Sequence, residues 1–184
     1  MSNVNNPHGL RPLMRCLNGG APQLEQYTKP AGYAYAIFKW DPVTLLVTGY
    51  LGAAAHDITP GTTYLLGVAL EWAPASQLSN HNIMVSPDAI FEIQDDGSSD
   101  GTNSGFQEPA DRGQNANLVL TTAGGGVTRD NSGAQLAYSS HATTSTLDLK
   151  TFKLLNEPDN ASGANARIEV RINKHLLSAG VAGV

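Results

Sequence analysis

The feature that most constrains the fold is a regular alternation of apolar and charged side chains near the C-terminal end of the chain. In the segment Ala166–His175, ARIEVRINKH, isoleucine or valine alternates with arginine or glutamate. Successive side chains of a strand point to opposite faces, so this period of two predicts a strand with one buried face and one wet face. A strand of this kind needs partners, and the segment therefore predicts a protein built on β-sheets.

Further short runs rich in β-branched and aromatic residues are separated by Gly, Pro, Asn and Asp, which is typical of strands joined by turns. They are Tyr33–Trp40, Val43–Val47, a run beginning at Tyr50, Thr63–Trp72, Asn82–Val85, Ala89–Gln94, Asn117–Thr122 and Thr151–Asn156. No segment has a sustained helical period. Many short strands with turn signals between them predict an all-β fold, either a small β-barrel or a sandwich. Within Thr63–Trp72, Gly67 marks a bulge or a tight bend.

The first 32 residues differ from the rest of the chain. They contain four prolines and four glycines and show no sustained period. We therefore expect residues 1–32 to form an extended N-terminal arm and residues 33–184 to form a single β-rich domain. The alternative is that this segment packs along its own domain.

Two long loops are expected at Asp95–Ala116 and Ala123–Gln135, both rich in Gly, Asn and Ser. The first begins like a calcium-binding EF-hand loop, with acidic or hydroxyl side chains at every second position from Asp96 to Asp100. An EF-hand closes its shell with a bidentate glutamate at the twelfth position, and that position is Gln107 here. The sequence therefore predicts a solvated loop without a bound metal.

No other pattern indicates a cofactor, a metal or a catalytic residue. The five histidines are scattered, without the spacing or the cysteine partners of a zinc site. Cys16 is the single cysteine and cannot form an internal disulfide. The glycine-rich stretch TTAGGGVT lacks the Lys-Ser/Thr of a phosphate-binding loop, and GxSxG is absent. We predict that the protein is not an enzyme.

Charge and hydropathy exclude two classes of partner. The formal net charge is -5, which gives no general attraction for nucleic acid. No window approaches the roughly 18 apolar residues of a membrane helix, and the N-terminus lacks the features of a signal peptide.

Charged residues make up only 15% of the chain, against about 25% in ordinary globular domains. Such a weakly charged surface is common in subunits that neighbours cover.

Several stretches, taken in order, resemble a family of small virion proteins of tailed bacteriophages. They are NPHGLRPL, GYAYAIFKWDPVTL, LLGVALEW, VSPDAIFEIQDDG, GQNANLVL, NEPDN and ARIEVRINKH, which together span Asn6 to His175. Members of this family are generally taken to be capsid decoration proteins, also called cement proteins. One departure is that Lys39 and Trp40 stand before Asp41-Pro42-Val43, where the resemblance implies a small residue and glycine.

The resemblance implies a structural protein that binds the outer surface of a phage capsid and bridges major capsid subunits, so stabilising the expanded head. The major capsid protein would be its partner, and self-association as a dimer or trimer is expected. Its location would be the virion capsid, assembled in the host cytoplasm. The alternative is another structural virion component, such as a tail, fibre-base or minor head protein.

Within the expected arm, five residues are candidates for contact with the capsid. Leu10, Leu13 and Met14 are apolar side chains on a stretch too irregular to bury itself, and Arg11 and Arg15 can pair with acidic residues on another chain.

Overall fold

The computed structural model describes residues 3–53, 57–120 and 131–178, and within these ranges the chain forms eleven β-strands. The strands are β1 (Arg11–Cys16), β2 (Leu24–Lys29), β3 (Pro42–Leu45), β4 (Leu51–Ala53), β5 (Gly67–Ala69), β6 (Ser79–Met84), β7 (Ala89–Gln94), β8 (Asn115–Val119), β9 (Gln135–Ala142), β10 (Leu149–Leu154) and β11 (Arg167–Ile172). They form a six-stranded antiparallel sheet in the order β1-β7-β11-β10-β8-β9 and a five-stranded antiparallel sheet in the order β2-β6-β5-β3-β4. The all-β class is confirmed. The sheets do not close into a barrel, and the arrangement is consistent with a sandwich.

The main core lies between the two sheets. Phe91 and Val170 of the six-stranded sheet and Val68 and Met84 of the five-stranded sheet all belong to it, and none is more than 1% exposed. Burying an apolar side chain of this size contributes about 1.5–3 kcal/mol relative to leaving it in water. The apolar surface shared by the two inner faces therefore holds the sheets together.

The five-stranded sheet also buries its outer face. Ala69 and Ile83 belong to a second cluster of buried apolar residues, because their side chains point away from the main core. Ile37 covers this cluster and exchanges two backbone hydrogen bonds with Ala73, of 2.9 and 2.7 Å. The run Tyr33–Trp40 was expected to be a strand, and that expectation is wrong. The run crosses the outer face of the sheet and makes isolated bridges instead of pairing along an edge.

Residues 11–29, which were expected to lie in an extended arm, instead supply the outermost strand of each sheet. β1 pairs with β7 and β2 pairs with β6, so this segment, which we name the edge ribbon, runs antiparallel to residues 79–94 across both sheets. The structure thus replaces the expected arm with paired strands over these residues. Edge strands tolerate proline and bury only part of their surface, which explains why the composition resembled that of an arm.

Most of the expected strands are present, with shifted ends. β7 has the expected bounds, and β11 lies within the expected Ala166–His175. Of the run Thr63–Trp72, only the three residues of β5 form a strand. β9 was not expected, because its sequence QLAYSSHA has little β propensity. Most of the expected loop Ala123–Gln135 lies outside the described residues.

Trp40 occupies a backbone conformation that favours glycine, with φ of 69°. The family resemblance implied glycine at this position. The Trp40 carbonyl accepts a hydrogen bond of 3.0 Å from the amide of Leu10, and its side chain packs against the main core. The Lys39 ammonium lies 4.9 Å from the centre of the indole ring. These contacts offset the backbone strain that a residue other than glycine incurs here.

Gly67→Ala is expected to destabilise the protein by about 3 kcal/mol, in the upper range for overpacking a core. A Cβ at this position would lie 2.1 Å from the main-chain oxygen of Met84, so the backbones of β5 and β6 would have to separate. Urea denaturation measures the effect. Gly20→Ala is the matched control, because its Cβ would meet only the exposed side chain of Asn18. Equal midpoints for the two variants would contradict the argument.

The ionisation of Asp41 is expected to make the stability of the folded protein depend on pH. Burial raises the pKa of its carboxyl to about 6, against hydrogen bonds from Ser132 and Phe38 that lower it. The folded state therefore binds a proton more tightly than the unfolded state, and stability is lost as pH rises from about 4 to about 6. The shift of roughly two pKa units corresponds to about 3 kcal/mol.

We expect Asp41→Asn to remove this loss, because the amide does not ionise. The stability of the wild type relative to Asp41→Asn should fall by up to about 3 kcal/mol between pH 4 and pH 7 in urea titrations. Asp100→Asn is the control and should change little over this range, since backbone hydrogen bonds lower the pKa of Asp100 and its contribution to stability therefore changes only at lower pH. A pH-independent difference for Asp41→Asn would refute the prediction.

Candidate interaction surface

The structure separates the five candidate contact residues into different environments. Leu10 is fully buried in the main core, so it cannot contact a partner while the protein is folded. Gly9 has φ of 77° and turns the chain inward just before it. The other four candidates lie on β1, where Leu13 is half-buried and Met14 is 61% exposed. Only Met14 thus presents a large apolar side chain to solvent among the five.

The two arginine candidates are paired within the chain. Arg11 makes a short ion pair with Glu92, which lies opposite it in the β1–β7 register. Arg15 lies 2.6 Å from the carboxylate of Glu169 on β11. The expectation that these arginines are available for acidic residues on another chain is therefore not supported by their contacts.

Glu92 is the centre of this ionic network. Its side chain is fully buried, and His8 Nε2 lies 3.2 Å from Oε1. Burial alone would raise the pKa of Glu92, but hydrogen bonding and charge from His8 and Arg11 outweigh burial and hold the pKa below its ordinary value. Glu169 stands opposite Glu92 on β11 and pairs with Lys153 and Arg15. Both carboxylates on this outer face of the six-stranded sheet are therefore paired with basic side chains of the same chain.

The N-terminal segment crosses this ionic face. Gln94 accepts a hydrogen bond of 2.8 Å from the amide of Asn6 and donates one of 2.7 Å to the carbonyl of Val4. A polar pocket of about 140 Å³ lies between this segment and the sheet. Pockets for drug-sized ligands are usually about 300–1,000 Å³, so this pocket is too small for a ligand of that size.

Three of the twelve large apolar side chains that are exposed in the described part of the chain lie on the edge ribbon. Met14, Leu17 and Leu24 are 61%, 52% and 47% exposed. β1 and β2 are each the outermost strand of their sheet, so their free edges also carry backbone groups that are not used in pairing. An apolar surface beside free strand edges is suited to contact with another protein.

The backbone at Met14 is unusual. The β1–β7 register shifts between Pro12 and Cys16, and Met14 within this bulge has φ of 56°. A residue other than glycine in this left-handed region costs about 1–2 kcal/mol. Strain of this kind clusters at functional sites, where it aims a side chain. Here the bulge presents the Met14 side chain to solvent.

The acidic loop after β7 uses its first carboxylate inside the protein. Asp95 is fully buried, and its two carboxylate oxygens accept backbone hydrogen bonds from Gly97, Phe106, Asn165 and Ala166 at 2.8–3.1 Å. Burial raises the pKa of Asp95 in spite of these four bonds, which lower it. Asp95 therefore fastens the loop to the start of β11.

Asp96 and Asp100, which follow Asp95 in this loop, also bind backbone amides. Asp96 Oδ1 accepts bonds from the amides of Ser98 and Tyr138, and Asp100 Oδ1 accepts bonds from those of Thr102 and Asn103. Each carboxylate thus stabilises a turn. Among residues 3–53, 57–120 and 131–178, no group of three or more His, Cys, Asp or Glu side chains is placed to hold a metal ion.

No helix in the described part of the chain is long and apolar enough to span a membrane. No family model, curated protein sequence or solved structure shows significant similarity to this chain.

Sequence reasoning did not anticipate one group of side chains that the fold brings together. Ser79 and His81 lie on one face of β6, with Glu71 beside them. The spacing Ser-x-His was the only available signal, because it places two side chains on one face of a strand. Glu71 lies ten residues from His81, and its approach depends on how the segment between β5 and β6 folds.

Asp95→Ala is expected to destabilise the protein by about 3–5 kcal/mol, because four amide donors lose a charged acceptor in a buried site. Asp100→Ala is the matched control and should cost much less, since its carboxylate is exposed. Thermal unfolding with and without calcium measures both effects. We expect calcium to leave the melting temperature of the wild type unchanged. A rise of several degrees at sub-millimolar calcium would contradict our account of this loop.

Proposed function

We propose that the protein is a structural virion protein that binds the outer surface of a phage capsid, bridges major capsid subunits and stabilises the expanded head. The observation that carries the proposal is the edge ribbon, where Met14, Leu17 and Leu24 expose apolar surface beside two free strand edges. The order of motifs that resembles phage decoration proteins and the weakly charged composition also support it.

The edge ribbon can act as a docking surface in two complementary ways. Burial of its exposed apolar side chains against a partner stabilises the complex by about 25 cal/mol for each Å² of apolar surface removed from water. Its free edges can pair with a strand of the partner, which adds backbone hydrogen bonds. Because a shell repeats the same contact at every equivalent position, even a modest interface stabilises the whole particle.

Self-association as a dimer or trimer forms part of this proposal, because decoration sites on a shell lie on symmetry axes. The closest alternative is another structural virion component, such as a tail, fibre-base or minor head protein. The same apolar edge would serve there. Imaging whole particles by cryo-electron microscopy distinguishes the two, since a decoration protein occupies many equivalent sites over the head.

The test of the edge ribbon is the triple variant Met14→Ser, Leu17→Ser, Leu24→Ser. Added to undecorated expanded shells, it should bind at least about 30-fold more weakly than the wild type, since loss of a hot-spot cluster costs about 2 kcal/mol or more. Co-sedimentation measures occupancy, and heating of the shells measures stabilisation. The control is Val47→Ser, Tyr50→Ser, which removes exposed side chains from the turn between β3 and β4, outside the edge ribbon.

Met14→Gly separates folding from binding. Glycine relieves the left-handed strain at this position, so the variant should be at least as stable as the wild type in urea. It should still bind shells more weakly, because the exposed side chain is gone. Equal occupancy for the wild type and for both edge-ribbon variants would show that another surface contacts the capsid.

A further inference from the structure

Ser79 and His81 form a hydrogen-bonded pair on one face of β6. The distance from His81 Nε2 to Ser79 Oγ is 2.6 Å. His81 is 4% exposed, whereas Ser79 is partly open to solvent. A serine hydroxyl within hydrogen-bond reach of a buried imidazole is the arrangement in which a base can accept the hydroxyl proton.

Glu71 stands on the other side of the imidazole. Its Oε1 lies 3.8 Å from His81 Nδ1 and accepts a hydrogen bond of 3.0 Å from the backbone amide of Asn82, which fixes the carboxylate beside β6. At this distance Glu71 does not accept a hydrogen bond from Nδ1, and its carboxylate acts on the imidazole through its charge, which favours a proton on Nδ1 and leaves the Nε2 lone pair for Ser79. The order of groups is therefore nucleophile, base and carboxylate.

Lys29 completes the cluster from the neighbouring strand. It is opposite Ser79 in the β2–β6 register, and its ammonium is fully buried without a hydrogen-bond partner in the described part of the chain. Burial lowers the pKa of His81; the charge of Glu71 opposes this and the charge of Lys29 adds to it. His81 is therefore neutral at neutral pH, the state that a general base requires.

We propose that Ser79 is an activated nucleophile for acyl transfer from carboxylic esters, with His81 as its general base. In the first step Ser79 Oγ bonds to the ester carbonyl carbon while its proton passes to His81 Nε2. The bond from that carbon to the alkoxide oxygen then breaks, and His81 returns the proton to the departing alcohol. Water, deprotonated by His81, hydrolyses the resulting acyl-serine and restores the hydroxyl.

The surroundings of the cluster indicate the class of ester. Leu78, which precedes Ser79, is 67% exposed, and Trp72, which follows Glu71, is 50% exposed. The exposed apolar side chain of Leu78, next to Ser79 in the chain, favours an uncharged acyl group. Since Ser79 is reached from the surface, the expected substrates are small, unhindered esters. Glu71 and Lys29 act through His81 and are positioning residues.

The experiment uses 4-nitrophenyl acetate as the probe and peptide mapping by mass spectrometry as the readout. We expect one acetyl group on Ser79 of the wild-type protein, released together with a burst of nitrophenolate. His81→Gln should slow acetylation at Ser79 by at least about 100-fold, the usual contribution of a general base. Asn80→Ala is the matched control on the opposite face of β6 and should keep the wild-type rate.

The dependence of the acetylation rate on pH tests the two positioning residues. The rate should rise with pH to a plateau whose midpoint lies below the ordinary histidine value, because burial lowers the pKa of His81. Lys29→Met should move the midpoint up, and Glu71→Gln should move it down. Opposite shifts of this kind follow from charge and are not expected of a purely structural role.

Two results would overturn the proposal. One is acetylation of lysine or other histidine side chains with Ser79 unmodified, and the other is an unchanged rate at Ser79 in His81→Gln. The wild-type peptide map decides the first even if a variant fails to fold. Neither result bears on shell binding, so the capsid proposal stands or falls separately.

Discussion

The antiparallel pairing of the edge ribbon with residues 79–94 connects the two sheets, and the rest of the sandwich depends on it. Both segments cross from one sheet to the other at the same corner of the sandwich. There the amide of Leu17 donates a hydrogen bond to the carbonyl of Asp88, and the amide of Val85 donates one to the carbonyl of Gln23. This pairing positions β1 on β7 and β2 on β6. Without it each sheet would lose its outer strand, and the main core would open along one side.

Charge is scarce in this chain, and part of it is buried. Glu92 and Asp95 lie at the end of β7 and are fully buried, one paired with a histidine and an arginine and the other bonded to four amides. A buried charge without partners costs several kcal/mol, so these contacts are a condition of folding. The surface left for partners is weakly charged, with apolar side chains on the edge ribbon, and it suits a subunit that binds by burial of apolar area.

The two proposed activities use different parts of the same strand pair. The apolar surface extends from Met14 to Leu24, whereas Ser79 lies opposite Lys29 at the far end of β2. Lys29 is five positions after Leu24 along β2, which is roughly 17 Å at the usual rise of about 3.4 Å per residue. A protein docked through Met14 and Leu17 could therefore leave Ser79 accessible. The ester chemistry goes beyond the capsid role and does not depend on it.

The sequence by itself determined the all-β class and the strands whose pattern is local. β7 was predicted with its observed bounds, and β11 was predicted from its alternation, because alternation reports one buried face without reference to a partner. The tertiary structure alone decided that residues 11–29 are edge strands, that Asp95 binds amides, and that Glu71 approaches His81. Each of these depends on groups brought together by the fold from other segments. The period of apolar residues in one segment does not indicate which other segments it will contact. An edge strand with a bulge at Met14 shows almost no alternation of apolar and polar residues, so the sequence does not predict it.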